Sequence, residues 1–199
     1  SGLIIDNMHG IMGIFELNRI IAQVLTIFII VAIINSINFI DGIDGLAILI
    51  VSKFIVFIEF FALYNFKLSY LSYIIIFSCL PLIYYNLRKN QKVFLGDSGS
   101  LFLGGVVSIY VLNALSQEYI IKSEFDINKV LFIISILSYP IFDLIRVSLL
   151  RIFKGNSPFL ADKNHIHHIL LKKFNKHIFT TLIILISSFT FTIFIQLIF

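Results

Sequence analysis

Six stretches of this chain are each long and apolar enough to cross a lipid bilayer, and this constrains its fold more than any other feature. A helix crossing about 30 Å of hydrocarbon needs about 20 mostly apolar residues. The sequence supplies such runs at 20–40, 46–64, 70–87, 101–117, 129–150 and 178–199. In hydrocarbon every backbone polar group must be satisfied within the protein, so runs of this kind fold as helices. The expected fold is all-α: a polytopic membrane protein with about six transmembrane helices, forming a single transmembrane domain over residues 1–199. Composition agrees, because 59% hydrophobic and 13% charged residues, with a mean hydropathy of +1.01, exclude a water-soluble domain. Cys79 is the one cysteine; it forms no intrachain disulfide and reads as a small buried hydrophobe. Pro81 and Pro140 fall inside spans, where neighbouring helices cover the freed carbonyls. Tyr64, Tyr70, Tyr84, Tyr85 and Tyr119 fall near span ends, as interfacial aromatics do. Lys53 and Glu59 fall within the second span and are expected to snorkel or to pair with a neighbouring helix.

The charges orient these spans. Arg88, Lys89 and Lys92 lie in the segment 88–99, and Arg151, Lys154, Lys163, Lys172, Lys173 and Lys176 lie in 151–177. Basic loops stay on the cytoplasmic side. The other loops are poorer in base: Lys67 stands alone, while Lys122 and Lys129 are offset by Glu118, Glu124 and Asp126. Alternation then puts the turn 41–45 on the cytoplasmic face as well, with both termini outside.

Three motifs share that face. "INFIDGIDGLA" (37–47) sets Asp41 and Asp44 at the end of the first span. An ionised carboxylate costs roughly 2.5–3.5 kcal/mol at a membrane centre, so the end of a helix is where two of them are tolerable. "KVFLGDSGSLFLGG" (92–105) adds Asp97 among small residues before a span. Glycines and serines permit close backbone approach, and a helix N-terminus favours phosphate; an ordinary polar turn capping a helix reads equally well. The "GDSG" of trypsin-like proteases belongs to a soluble β-barrel, whereas this one opens a membrane helix. "KGNSPFLADKNHIHHILLKK" (154–173) holds His165, His167 and His168, with Asp162 upstream. The spacing is unlike H-x-x-x-H and no cysteine accompanies it, so donation to phosphate oxygens explains the histidines better than zinc. Carboxylates alone would repel a phosphorylated substrate. They fit one if a hard divalent cation sits between them, which points to Mg²⁺-dependent phosphoryl or phosphodiester transfer.

Together, "NSINFIDGIDGLA", "KVFLGDSGSLFLGG" and "SPFLADKNHIHHIL" resemble the cytoplasmic signatures of the polyprenyl-phosphate N-acetylhexosamine-1-phosphate transferases, from about Asn35 to the C-terminus. The His-x-His-His form is similar to the bacterial branch that uses UDP-GlcNAc and undecaprenyl phosphate, and the phospho-N-acetylmuramoyl-pentapeptide transferases rank second. The resemblance implies attack of polyprenyl phosphate on a UDP-N-acetyl sugar, giving lipid-diphosphate-sugar and UMP at the start of cell-surface polysaccharide synthesis. It implies Asp97 as the principal Mg²⁺ ligand with Asn38 as a second, Mn²⁺ being the alternative ion. It implies Asp44, Asn86 and Phe94 around the uracil, and His165, His167 and His168 at the diphosphate and sugar phosphate. Lys92, Ser100 and Arg151 assist, and Asp41 stands near the metal and the attacking phosphate. It places the protein in the bacterial inner membrane with its active face cytoplasmic, in membrane lipid, with a homodimer as the candidate assembly and no nucleic-acid partner.

The chain departs from that family in one respect: earlier spans and an adjacent Asp-Asp pair are missing. It also opens on Ser1-Gly2, with neither a methionine nor a signal peptide. The expectation is the C-terminal part of a longer transferase, inactive alone. Two rivals fit less well. An intramembrane aspartyl protease would need glycine where Phe94 stands, and a cation transporter would set its acids near the bilayer midplane.

Overall fold

The computed structural model describes residues 3–8, 13–61, 68–88, 90–116, 129–157 and 164–198. Eight helices are found among them: α1 (Arg19–Ile40), α2 (Leu46–Phe61), α3 (Ser69–Asn86), α4 (Gly96–Ser116), α5 (Lys129–Ile136), α6 (Ser138–Phe153), α7 (Ile166–Phe174) and α8 (His177–Ile198). No strand occurs among the described residues; a lone antiparallel bridge joins Asn7 to Glu16. Four helices, α1, α3, α4 and α8, are long and apolar enough to cross a membrane, and a fifth span is gained if α5 and α6 are counted as one. This is an all-α polytopic membrane protein. Its outer faces stay apolar, with Phe28, Phe77 and Phe194 exposed, as lipid contact requires.

The expected spans differ from the helices in two places among the described residues. The span at 129–150 is broken: α5 and α6 meet at Leu137 with a bend of 82°. Pro140 therefore lies in the first turn of α6, where its missing N–H would have had no intrahelical partner anyway, and not in the middle of a continuous span. As described, α2 has 16 residues, about 24 Å at 1.5 Å per residue. It is the central helix: Leu46, Ala47, Ile48, Ile50, Val51, Phe54 and Ile55 are all buried, and it touches α1, α3, α4, α5 and α8. Protein, more than lipid, surrounds it. The fourth helix starts at Gly96, five residues before the apolar run, so the "GDSGS" segment is its first turn and not a loop.

Polar groups within the bundle find partners on other helices. Lys53 donates to Ser188 Oγ of α8 at 2.6 Å, and Glu59 accepts from Ser69 at 3.2 Å and from Ser72. Pairing, the alternative to snorkelling, is what both residues do. α1 and α4 pack with their backbones touching: a Cβ on Gly104 would lie 2.8 Å from Ile34 Cα and 3.2 Å from its carbonyl oxygen. Glycine alone permits this approach. Tyr64, Tyr119, Asp162 and the charges of 117–128 lie outside the described residues.

Candidate functional site

The site lies where the C-terminal end of α1, the turn 41–45, the segment before α4 and the N-terminal end of α7 come together. Asp41 caps α1 with its N–H donating to Asn38 O. The chain then turns through Gly42 to Gly45, whose φ of +71° suits glycine. Asn86, at the end of α3, fixes this turn. Its Oδ1 accepts the Gly45 N–H at 2.6 Å and its Nδ2 donates to Val93 O at 2.8 Å. Asn86 is buried, and its amide bonds on both sides to the backbone, so it clasps together the two segments that carry Asp44 and Phe94.

On the carboxylate side, Asn38 Nδ2 donates to Ser100 Oγ at 2.8 Å and approaches Asp97 Oδ1 at 3.4 Å. Ser100 is fully buried and bonds back to Gly96 O at 3.1 Å, so it orients Asn38 from below. Asp97 is exposed in the first turn of α4, where the helix dipole favours a negative charge. Asp41 is half-buried; burial, and then the Asp97 charge, push its carboxyl up to about 6. A divalent cation beside Asp41 and Asp97 would relieve the repulsion that Asp41 feels there. No group of three or more His, Cys, Asp or Glu able to hold a metal exists among the described residues. The residues fit an ion of the Mg²⁺ type, which takes one or two carboxylates and fills its octahedron with water and substrate oxygens.

Asp44 faces the other way. It pairs with Lys92 at 2.5 Å and lies 3.4 Å from His177 Nδ1, while its carbonyl accepts from Thr181 Oγ1 at 2.8 Å. It lines a cleft of about 570 Å³ with Leu87, Arg88, Lys92, Lys176 and His177. Phe94 stands beside this cleft, 70% exposed, with Lys92 Nζ 5.2 Å from its ring centre. An aromatic face left open next to a basic cleft has the make-up of a stacking platform for a base with charged phosphates.

The histidines are less open than their loop position predicts. His165 and His167 are buried and His168 is half-buried. The reason is packing: residues 166–174 fold as α7, which presses on the turn 41–45. A Cβ on Gly42 would meet His167 Nε2 at 2.5 Å and His168 Cε1 at 3.2 Å, so Gly42 lets these two imidazoles pack directly against the aspartate turn. Burial, then the charges of His168 and His165, hold His167 down at about 3, and it is neutral at pH 7. Its Nδ1 meets Tyr139 OH at 3.1 Å. Nε2 is buried without a partner among the described residues. If the phenol donates, Nε2 carries the proton, an orphan donor beside the aspartate turn. Arg151 is buried with its guanidinium 5.8 Å from the Phe39 ring centre, bracing the ends of α1 and α6.

The sequence reading missed Asp143, Arg146, Tyr139 and His177. Asp143, 1% exposed, accepts from His165 Nδ1 at 2.7 Å, from Arg146 at 2.8 Å and from the Ile166 N–H at 3.0 Å. A signal for it existed: an aspartate three residues before an arginine within an apolar run is a functional candidate by default.

Residues 2–115 match glycosyl transferase family 4, a stretch that contains the aspartate turn and the Asp97 segment. The chain is 37% identical over 123 residues to a probable undecaprenyl-phosphate N-acetylglucosaminyl 1-phosphate transferase of Bacillus subtilis, covering 62% of this chain and 32% of that protein. It is 37% identical over 98 residues to the undecaprenyl-phosphate alpha-N-acetylglucosaminyl 1-phosphate transferase of Escherichia coli K12, covering 47% and 24%. A decaprenyl-phosphate N-acetylglucosaminephosphotransferase of Mycobacterium leprae is 32% identical over 105 residues, covering 50% and 26%. The matched stretch spans about a quarter to a third of the length of these relatives.

Proposed function

The chain belongs to glycosyl transferase family 4, and on that premise we propose that it serves the transfer of N-acetylglucosamine 1-phosphate to undecaprenyl phosphate. The donor is UDP-GlcNAc and the second product UMP. An oxygen of the lipid phosphate attacks the phosphorus that bears the sugar; the bond from that phosphorus to the bridging oxygen breaks, and UMP leaves with the bond's electrons. The relatives' names support the transferred group and the acceptor. The observation that carries the reading is the contact of His167 and His168 with Gly42, which unites the aspartate turn with the histidine segment, while Asn38 links the same turn to Asp97 and Ser100.

Each group has a definite task in this reading. Asp97 and Asn38, with Asp41 beside them, hold a Mg²⁺ ion, which when bound supplies charge neutralisation to the diphosphate. The second pKa of a phosphate monoester is about 6, so the lipid phosphate is largely dianionic at neutral pH and needs no strong base. The residues mainly position and neutralise, as in other phosphoryl transfers. Phe94 stacks on uracil beside the cleft of Asp44, Lys92 and His177, and the histidines donate to the diphosphate oxygens. The turn 41–45, the segment before α4 and α7 lie on the cytoplasmic face.

The test is transfer of radiolabelled GlcNAc 1-phosphate to polyprenyl phosphate in detergent, with UDP-GlcNAc binding read in parallel. Protein is prepared as this chain and with any upstream residues its reading frame supplies. Lipid-linked product that is lost on chelation of divalent ions and restored by Mg²⁺ supports the proposal. Neither binding nor product in any form overturns it.

A further inference from the structure

Asp143 is a carboxylate that neither the motifs nor the matched stretch 2–115 includes. In a straight fifth span it would sit in hydrocarbon; the bend at Leu137 instead brings it, buried, against the start of α7. Its two oxygens are divided between tasks. Oδ2 takes the His165 Nδ1 at 2.7 Å. Oδ1 takes Arg146 at 2.8 Å and the Ile166 N–H at 3.0 Å. Arg146 also donates to the Asn164 carbonyl at 2.5 Å. The residues on both sides of His165 are thus tied to one side chain or its partner. The ring itself packs between Phe39 at 5.4 Å and His167 at 5.5 Å, nearly parallel to the latter.

We propose that Asp143 is a positioning residue that acts through His165: it holds the proton on Nδ1 and reserves Nε2 for the substrate phosphates, while fixing where α7 begins. The inference rests on the proposed transfer for what Nε2 meets, but not for the tautomer. A carboxylate can only accept, so the nitrogen facing Asp143 must carry a hydrogen. A second carboxylate or carbonyl partner that sets ring orientation in this way is the usual companion of a working histidine. Arg146 keeps the carboxylate paired with charge in a site with little water.

The experiment has two arms. In the first, the ¹⁵N imidazole shifts of His165 are read in detergent-solubilised, histidine-labelled protein, assigned by loss of the signal in His165→Gln. Asp143→Ala should remove the Nδ1–H signature that the parent shows. In the second, GlcNAc 1-phosphate transfer is measured for Asp143→Ala, His165→Gln and the double variant. Asp143→Ala should lower kcat by about 10–100-fold, with the KM for UDP-GlcNAc moving less than about threefold. In the double variant the loss should match that of His165→Gln within about threefold, because a residue acting through another is not additive with it. Losses that multiply would show a structural role only and overturn the proposal. So would an unchanged His165 signature in Asp143→Ala and in the milder Asp143→Asn, which guards against collapse of the fold. If the parent shows no transfer but the signature responds, the transfer reading fails while the tautomer assignment stands.

Discussion

Asp97 lies exposed at the head of α4 beside an asparagine, whereas Asp143 lies 1% exposed with three donors around it. The two carboxylates belong to the two walls of one site. On the α1/α4 wall, the acids are partly open and Asp41 is disfavoured as an anion; something from outside has to complete them. On the α6/α7 wall, the histidines and their supports are packed before any ligand arrives. The difference teaches which wall would change on binding: under the proposed function the carboxylate wall would be finished by cation and substrate, whereas the histidine wall is packed in advance.

The largest expected effect comes from breaking the open wall. Asp97→Asn should lower UMP release by on the order of 10²–10³-fold, the loss typical of one strong electrostatic stabiliser, with the thermal midpoint unchanged because the side chain is exposed. A variant with near-parental turnover would remove Asp97 from the site. Next is the contact between the walls. Gly42→Ala forces a Cβ to within 2.5 Å of a buried His167 nitrogen, which cannot swing away cheaply. Destabilisation of about 1–3 kcal/mol is expected from such overpacking, read by thermal unfolding, together with loss of transfer. Equal stability and activity would mean that the walls do not meet.

Phe94→Ala sharpens the comparison at the cleft. UDP-GlcNAc binding should weaken by roughly 1–3 kcal/mol, the worth of one stacked base, with lipid-phosphate affinity nearly unchanged by calorimetry. Smallest is a pH effect. Burial pushes Asp41 up to about 6 from its ordinary 3.8, so the folded state binds the proton more tightly than the unfolded one. Without divalent cation, stability should therefore be favoured below about 4 and fall as pH rises through 6. Asp41→Asn should flatten that slope by a few degrees of melting temperature between pH 4 and 7, and a parallel slope in both proteins would assign it elsewhere.

Much of this architecture is legible in the sequence because hydrocarbon enforces it. The ends of α1, α3 and α8 lie within a residue or two of their apolar runs, since a polar residue beyond such a run has nowhere to hide. The break at Leu137 was not legible: every residue of 129–137 is compatible with a continuous span, and only packing around α6 shows where the helix turns aside. Hydropathy also placed the start of α4 late, because glycine, serine and aspartate lower the apolar average yet suit a first helical turn. The three motif segments come to one place in the fold. The motifs said nothing of how each side chain is held, because Asn86 and Ser100 make contacts with partners far off in sequence. Asp143 escaped attention for a different reason: it lies outside the three motifs, and its pairing with Arg146 within an apolar run was the one mark it carried.

The backbone contact at Gly104 works as a hard stop for the site's aperture. Asn38 and Ser100 lie one helical turn, about 5.4 Å, beyond Ile34 and Gly104 on the two touching helices. No side chain intervenes there to change rotamer or to compress, so thermal motion has little slack through which to vary the gap between Asn38 and Asp97. Any methyl group added at 104 would act as a wedge, prising open the same gap. The spacing of Asn38 and Asp97, and with it the size of any cation they would share under the proposed function, is therefore set by a glycine one helical turn away.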